Sequence, residues 1–229
     1  INKRQVDKEG HKWLYFDGEE KSGNGKYYIY NFNYGEKNNR LYLLNNKLDL
    51  IFKKAINGFI VLICGINNDG KAIIFMSDTK GSIQTVILDK DANELAAING
   101  YRGEGFSSDQ KEMVLLSESG GEILIINMDD FSQTTIEAGS LGIQGKIRTI
   151  HKHNKYIIAS SITGNAEEEW VNFYLIDTNK GLATQMFRKK VLVFNNIESY
   201  ADIKIKSGKI IIYDPDRQPS PYIYLFDLK

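Results

Sequence analysis

The sequence predicts an all-β fold, a β-propeller of about five four-stranded blades. Three observations carry that expectation: a motif that recurs five times, apolar runs too short for helices, and termini that complement one another. The motif is a short polar turn ending in lysine that opens a β-branched and aromatic run. It reads Asn24-Gly25-Lys26 before Tyr27 to Phe32, and Asp69-Gly70-Lys71 before Ala72 to Met76. It returns as Asp109-Gln110-Lys111 before Glu112 to Leu116, as His153-Asn154-Lys155 before Tyr156 to Ala159, and as Ser207-Gly208-Lys209 before Ile210 to Tyr213. About eighteen to twenty-two residues beyond each lysine a second run closes on Asn or Asp: Leu41 to Asn45, Thr85 to Asp89, Ile123 to Asp129, Asn172 to Asp177 and Tyr222 to Asp227.

In the first four units a third segment follows: Lys47 to Lys53, Glu94 to Ile98, Thr134 to Ala138 and Leu182 to Phe187. One more short strand precedes each lysine turn, which makes four strands per unit. Runs of four to seven residues broken by Gly, Asn and Asp exclude helices nearly everywhere. The last unit stops at Asp227-Leu228-Lys229 without an outer strand, whereas Ile1 to Asp7 has nothing obvious to pair with. The N-terminal segment is therefore expected to complete the last blade and close the ring. The blades fall near 8–54, 55–99, 100–140, 141–190, and 196–229 plus 1–7, in one domain over 1–229.

Composition narrows the function classes. Lys plus Arg equals Asp plus Glu at 29 each, so the summed charge gives no reason to expect nucleic acid as a partner. No apolar stretch is long enough to span a bilayer. Three prolines and no Gly/Ser-rich tract leave no linker to divide the chain. The single cysteine, Cys64, excludes an internal disulfide and reads as a buried structural thiol inside the run Phe59 to Cys64. A start at Ile1 and the lack of a usable disulfide fit an extracytoplasmic bacterial protein, secreted or anchored as a lipoprotein.

Two units carry a resemblance to a known repeat. Phe106-Ser107-Ser108-Asp109-Gln110-Lys111 leads to Val114-Leu115-Leu116-Ser117, then Gly120-Gly121, then Ile123 to Asp129. Ile66-Asn67-Asn68-Asp69-Gly70-Lys71 leads to Ile73 to Asp78, then Gly81, then Thr85 to Asp89. These stretches, over roughly residues 58 to 138, resemble the TolB-like and WD40-like propeller repeats. The resemblance implies the propeller fold and a binding face at one end of it; fold alone does not convey function.

Chemical motifs give little. Gly65 to Ala72 matches a phosphate-binding P-loop up to its last residue, but Ala72 lacks the hydroxyl that Mg²⁺ needs and a strand follows. His151 and His153 share one strand face, which is too few ligands for a metal, with His11 the only other histidine. Asp89 to Glu94 spaces oxygens as a Ca²⁺ loop does, yet lacks the turn glycine and the distal bidentate acid; it reads as a tight turn. No metal and no cofactor is implied. Five-bladed propellers include glycosidases, so Asp17, Asp69, Asp78, Asp109 and Asp214 are the acids to weigh for a carboxylate pair.

The placement of charge says more. The five turn lysines lie between first and second strands, whereas Asp78, Glu118, Glu167 to Glu169, Asp214 and Asp216 lie between second and third strands, on the opposite face. The longest such loops hold aromatics beside charges, which suits a peptide or glycan. Tyr34, Asp78, Glu118, Glu168, Trp170, Asp214, Arg217 and Tyr222 are the expected binding residues. The expected function is a non-catalytic binding or assembly module with a protein or peptide partner, or a glycan. The alternative is a five-bladed glycoside hydrolase with carboxylates in its funnel.

Overall fold

A computed structural model describes residues 15–33, 39–56, 59–77, 81–164, 169–191, 202–206, 209–214 and 222–227. Within these the chain is almost entirely β. The first sheet is β1 (Tyr15–Lys21), β2 (Tyr27–Asn33), β3 (Asn39–Asn45) and β4 (Leu50–Ile56). The second is β5 (Phe59–Ile66), β6 (Ala72–Ser77), β7 (Ile83–Leu88) and β8 (Glu94–Asn99). The third is β9 (Tyr101–Phe106), β10 (Glu112–Ser117), β11 (Glu122–Asn127) and β12 (Gln133–Glu137). The fourth is β13 (Lys146–His153), β14 (Tyr156–Gly164), β15 (Glu169–Asp177) and β16 (Leu182–Val191). A fifth holds β17 (Asp202–Lys206), β18 (Lys209–Asp214) and β19 (Tyr222–Asp227). Every pairing is antiparallel between strands consecutive in sequence. The chain divides into two compact units, Ile1–Ser140 with three sheets and Leu141–Lys229 with two.

The burial pattern explains the sequence pattern. In unit one the second and third strands are covered on both faces, so β6, β10 and β11 read as continuous apolar runs, with Ile73, Ile74, Met113, Leu115 and Ile123 all but inaccessible. The fourth strands β4, β8 and β12 are exposed on alternate residues and read as polar–apolar alternation. In unit one the apolar faces meet in layers. Ile29, Leu41 and Leu43 of the first sheet pack on Ile63, Ile74 and Val86 of the second, while Ile73 and Ile87 pack on Met113, Leu115 and Leu124 of the third. In unit two Phe173, Phe187 and Phe226 stack in series at 4.4 and 5.7 Å between ring centres, joining the fourth sheet to the fifth.

Each lysine turn of unit one is closed by a buried polar residue just ahead of it. Ser22, Asn67 and Ser107 are all within 2% of full burial. The Ser22 hydroxyl receives the Tyr27 N–H at 3.0 Å, the Asn67 side-chain oxygen receives the N–H groups of Asp69 and Lys71, and the Ser107 hydroxyl receives the Glu112 N–H at 3.0 Å. The turns then bond to one another. Asn68 accepts from the Asn24 N–H at 2.7 Å, and Gln110 accepts from the Asn68 N–H at 2.7 Å. The three turns are thus knitted along one end of the three sheets. The segment resembling a P-loop is part of this: it runs strand, turn, strand, and the Lys71 ammonium donates to the Met128 carbonyl at 2.5 Å.

The turns between third and fourth strands are Asx turns, which accounts for the Asn or Asp closing the second run in the first, second and fourth units; in the third the acceptor is Asn127, two residues before Asp129. Asn45, Asp89, Asn127 and Asp177 each accept backbone N–H groups from within their own turn. Asp89 is occupied in this way by Asp91 and Asn93, so the Ca²⁺-like spacing at 89–94 is turn chemistry.

At the left-handed position of the lysine turns stand Gly25 (φ 68°), Gly70 (φ 81°), Gln110 (φ 62°) and Asn154 (φ 51°). Gln110 accepts the steric cost of that backbone where its two counterparts in unit one use glycine, and its side chain bonds the neighbouring turn. Gln110→Ala is expected to lower the unfolding free energy by about 1 kcal/mol, the value of the lost bond. Gln110→Gly should lie within about 0.5 kcal/mol of the parent, because relief at positive φ offsets that loss. Equal destabilisation of both variants in urea unfolding would show that the backbone conformation carries no cost there.

Candidate functional site

First strands are bulged in all four of the four-stranded sheets, and so are the fourth strands β4, β8 and β16. In each of the four-stranded sheets the ladder between the first and second strands skips residues: Asp17 in β1, Val61 and Cys64 in β5, Glu104 in β9 and Arg148 in β13. A bulge re-aims the skipped residue and weakens local pairing, and bulges gather at functional sites. In unit one, two of these residues line a cleft of about 520 Å³ together with Glu20, Leu62, Ile63, Phe75, Arg102 and Gly103. The cleft is therefore built from β1, β5, β6 and β9 and lies on strands rather than on loops.

Glycine makes the close approach of β9 to β5 possible. A Cβ on Gly103 would stand 2.8 Å from Ile73 Cγ2 and 3.1 Å from the Cys64 sulfur. Its N–H is held by the buried Thr85 hydroxyl at 2.8 Å, and the same hydroxyl donates to the Tyr101 carbonyl at 2.8 Å. Thr85 thereby fixes β9 against the second sheet and sets the position of Arg102 and Glu104. The Arg102 Nε donates to Glu104 Oε1 at 2.5 Å, and the Glu104 side chain is only 11% exposed. Such a short charge-assisted contact in a partly desolvated wall holds both groups in place.

Glu20 is exposed by area yet stands in a concave wall. Loss of solvent there pushes its carboxyl above the ordinary carboxylate range; a backbone hydrogen bond at Lys21 opposes the shift and the Glu19 charge adds to it. Cys64 departs from expectation: it is half-buried on the cleft wall, with one side packed on the core between the second and third sheets. Burial first, and the Glu104 carboxylate second, push its thiol up to about 12 against the pull of Arg102. Across the cleft the charges are two carboxylates and one guanidinium, beside the apolar side chains of Leu62, Ile63 and Phe75.

The loop residues expected from the sequence are not brought together among the described residues. Tyr34, Asp78, Glu168 and Arg217 lie outside those residues. Asp214 and Tyr222 face each other as a backbone pair at the ends of β18 and β19, and their side chains lie outside what is described. Glu118 is exposed in the turn after β10, its N–H bonded to the Gly100 carbonyl at 2.9 Å. Trp170 is half-buried, with the Arg188 guanidinium 3.9 Å above its ring, so that face is covered from within its own sheet. Among the acids weighed for catalysis, Asp69 and Asp109 sit in the lysine turns, where Asp109 accepts from Ser107 and Lys111. Asp17 is the skipped residue of β1. Among the described residues no group of three His, Cys, Asp or Glu is placed to hold a metal ion. Likewise no helix there is long and apolar enough to cross a membrane.

Glu20, Arg102 and Glu104 were not legible as site residues. The available signal was Tyr101-Arg102-Gly103-Glu104-Gly105-Phe106, where charges flanked by glycines replace the apolar alternation of a strand.

No family model matches the chain, and no curated protein sequence matches it. Solved structures do. A putative TolB from Agrobacterium tumefaciens is 17% identical, with 94% of this chain and 78% of that chain covered and a TM-score of 0.56. The β-propeller domain of the Trilobed protease from Pyrococcus furiosus is 12% identical, covering 95% and 84% at a TM-score of 0.56. An oligogalacturonate lyase solved in complex with manganese is 10% identical, covering 94% and 66% at a TM-score of 0.64. At these identities the likeness establishes the fold, that of TolB and other β-propeller proteins.

The thiol offers a direct check of the cleft's electrostatics. At pH 8 a shift from 9.0 to about 12 removes roughly a thousandfold of the thiolate, and the higher nucleophilicity of the more basic anion returns part of it. Cys64 is therefore expected to react with the disulfide reagent DTNB roughly 40-fold more slowly than a cysteine peptide. A rate equal to the peptide's would place the sulfur in a solvated, unperturbed setting.

Proposed function

We propose that the chain is a non-catalytic binding or assembly module: one β-propeller domain of five blades over 1–229, working outside the cytoplasm and recognising a protein or peptide. A glycan is the other ligand class that suits such a surface. The observation that supports this is the cleft of unit one, which combines apolar wall with a few placed polar groups, the usual composition of a recognition site. Its second carboxylate, Glu104, is committed to Arg102. That commitment suits fixed recognition better than a nucleophile or a base, which must have an open approach to its substrate.

The glycoside hydrolase alternative also has an observation in its favour, since Glu20 and Glu104 line the same cleft and the surroundings of Glu20 raise its titration. A hydrolase would use these two rather than the aspartates weighed from the sequence. Fold does not separate the readings, because the similar structures include both a TolB and a lyase. Selection of a random peptide library on the intact chain, alongside a panel of nitrophenyl glycosides, separates them. We expect enriched peptides whose binding weakens at least tenfold in Leu62→Ala, and no glycoside turnover. Turnover that disappears in Glu104→Gln would replace the binding reading with the hydrolase.

Ring closure by residues 1–7 belongs to the same proposal. It is supported by the fifth sheet having three described strands where the others have four, with β19 at its open edge. Removal of residues 1–7 is expected to lower the thermal midpoint by several degrees. An unchanged midpoint would leave the last blade complete without them.

A further inference from the structure

We propose that the cleft of unit one receives a basic side chain on an aliphatic stem, a lysine presented by a peptide, with Glu20 as the group that accepts its ammonium. The inference rests on the binding-module reading of the same cleft and specifies what that cleft recognises.

Charge gives the first step. Glu20, Glu104 and Arg102 sum to one negative charge within the cleft, so a cation is the complement. Glu104 is already held by Arg102 Nε at 2.5 Å with little exposure, which leaves Glu20 as the carboxylate with room for a partner. An ion pair formed beside apolar surface is stronger than one in open water, since fewer waters compete for either charge. The carboxylate that desolvation disfavours is also the one that gains most from an incoming cation.

Shape gives the second step. Leu62 is 51% exposed although it lies on a first strand between two bulges, and Ile63 and Phe75 extend the apolar wall beside it. A methylene stem can lie along such a wall while its charged end stays at a carboxylate. A volume of about 520 Å³ is in the range that holds a side chain with its adjoining backbone rather than a large cofactor. Arg102 has a separate consequence: its guanidinium repels a second cation, so the site reads one basic residue and disfavours a run of them.

The test is an NMR titration of the intact chain with acetyl-Gly-Lys-Gly-amide, using the norleucine analogue as the uncharged counterpart of equal stem length. The lysine peptide is expected to bind with a Kd on the order of 1 mM, as suits one side chain, and to shift amides at 20, 62–64 and 102–104. Norleucine should bind at least tenfold more weakly. Glu20→Gln should abolish that preference while leaving the norleucine affinity unchanged, a readout that a folding defect would not produce. Equal affinity for the two peptides at the cleft would overturn the cation while leaving a binding site in place. Lysine-peptide shifts located elsewhere, or no saturable shifts, would overturn the inference altogether. Glycoside turnover in the parallel assay would instead remove the binding reading on which it rests.

Discussion

The structure of unit one depends on three short turns that satisfy their own backbone. Where a first strand reverses into a fully buried second strand, several N–H groups would be left without partners at the edge of an apolar layer, at a cost of about 1 to 3 kcal/mol each. Ser22, Asn67 and Ser107 remove that cost from within the turn, and their burial shows how little solvent is left to do so. Because Asn24, Asn68 and Gln110 then link turn to turn, the sheets share an anchored end. The lysines at these turns are not uniformly a solvated fringe. Lys71 reaches the Met128 carbonyl, Lys155 stands 3.6 Å from Asp177, and Lys209 stands 3.2 Å from Asp227. Lys71 alone of the five is partly buried, and the other four remain exposed.

From that anchored end the first strands run into a region where the ladder is interrupted. Four of the five skipped residues carry a charged or thiol side chain, and two of them, Cys64 and Glu104, meet at the cleft. Regular pairing would alternate their side chains between the two faces of the sheet. A bulge places an additional side chain at the cleft without disturbing the buried layers behind it. The second and third strands of unit one carry the buried layers, and the irregular first strands β5 and β9 line the cleft. Gly103 shows the cost of the arrangement: the approach of β9 to β5 leaves no space for even a methyl group there.

The fold was legible because its signals are local and repeated. A turn that needs a polar cap, a left-handed residue and a following buried strand produces the same short pattern each time, and the strand bounds follow it closely. The cleft was not legible, for a physical reason. Recognition of a strand face rests on period-two alternation, and each bulge resets that alternation by one residue. Glu104 and Cys64 therefore fall at positions where sequence alone assigns the wrong face or none. Trp170 is half-buried, and one face of its ring carries Arg188, its diagonal neighbour across the β15–β16 pair.

Among the described residues strands pair strictly in sequence, which has a kinetic meaning. Each sheet is a meander whose hydrogen-bonded neighbours are adjacent in the chain, so ordering one sheet requires closing only short loops. Within a sheet, such local pairing forms faster than pairing in which distant segments must find one another. It also suits vectorial synthesis: a sheet can assemble when its last strand emerges, and the next can use the completed apolar face as a template. Apolar strands such as β6 and β10, each hazardous if left unpaired, then spend little time without neighbours.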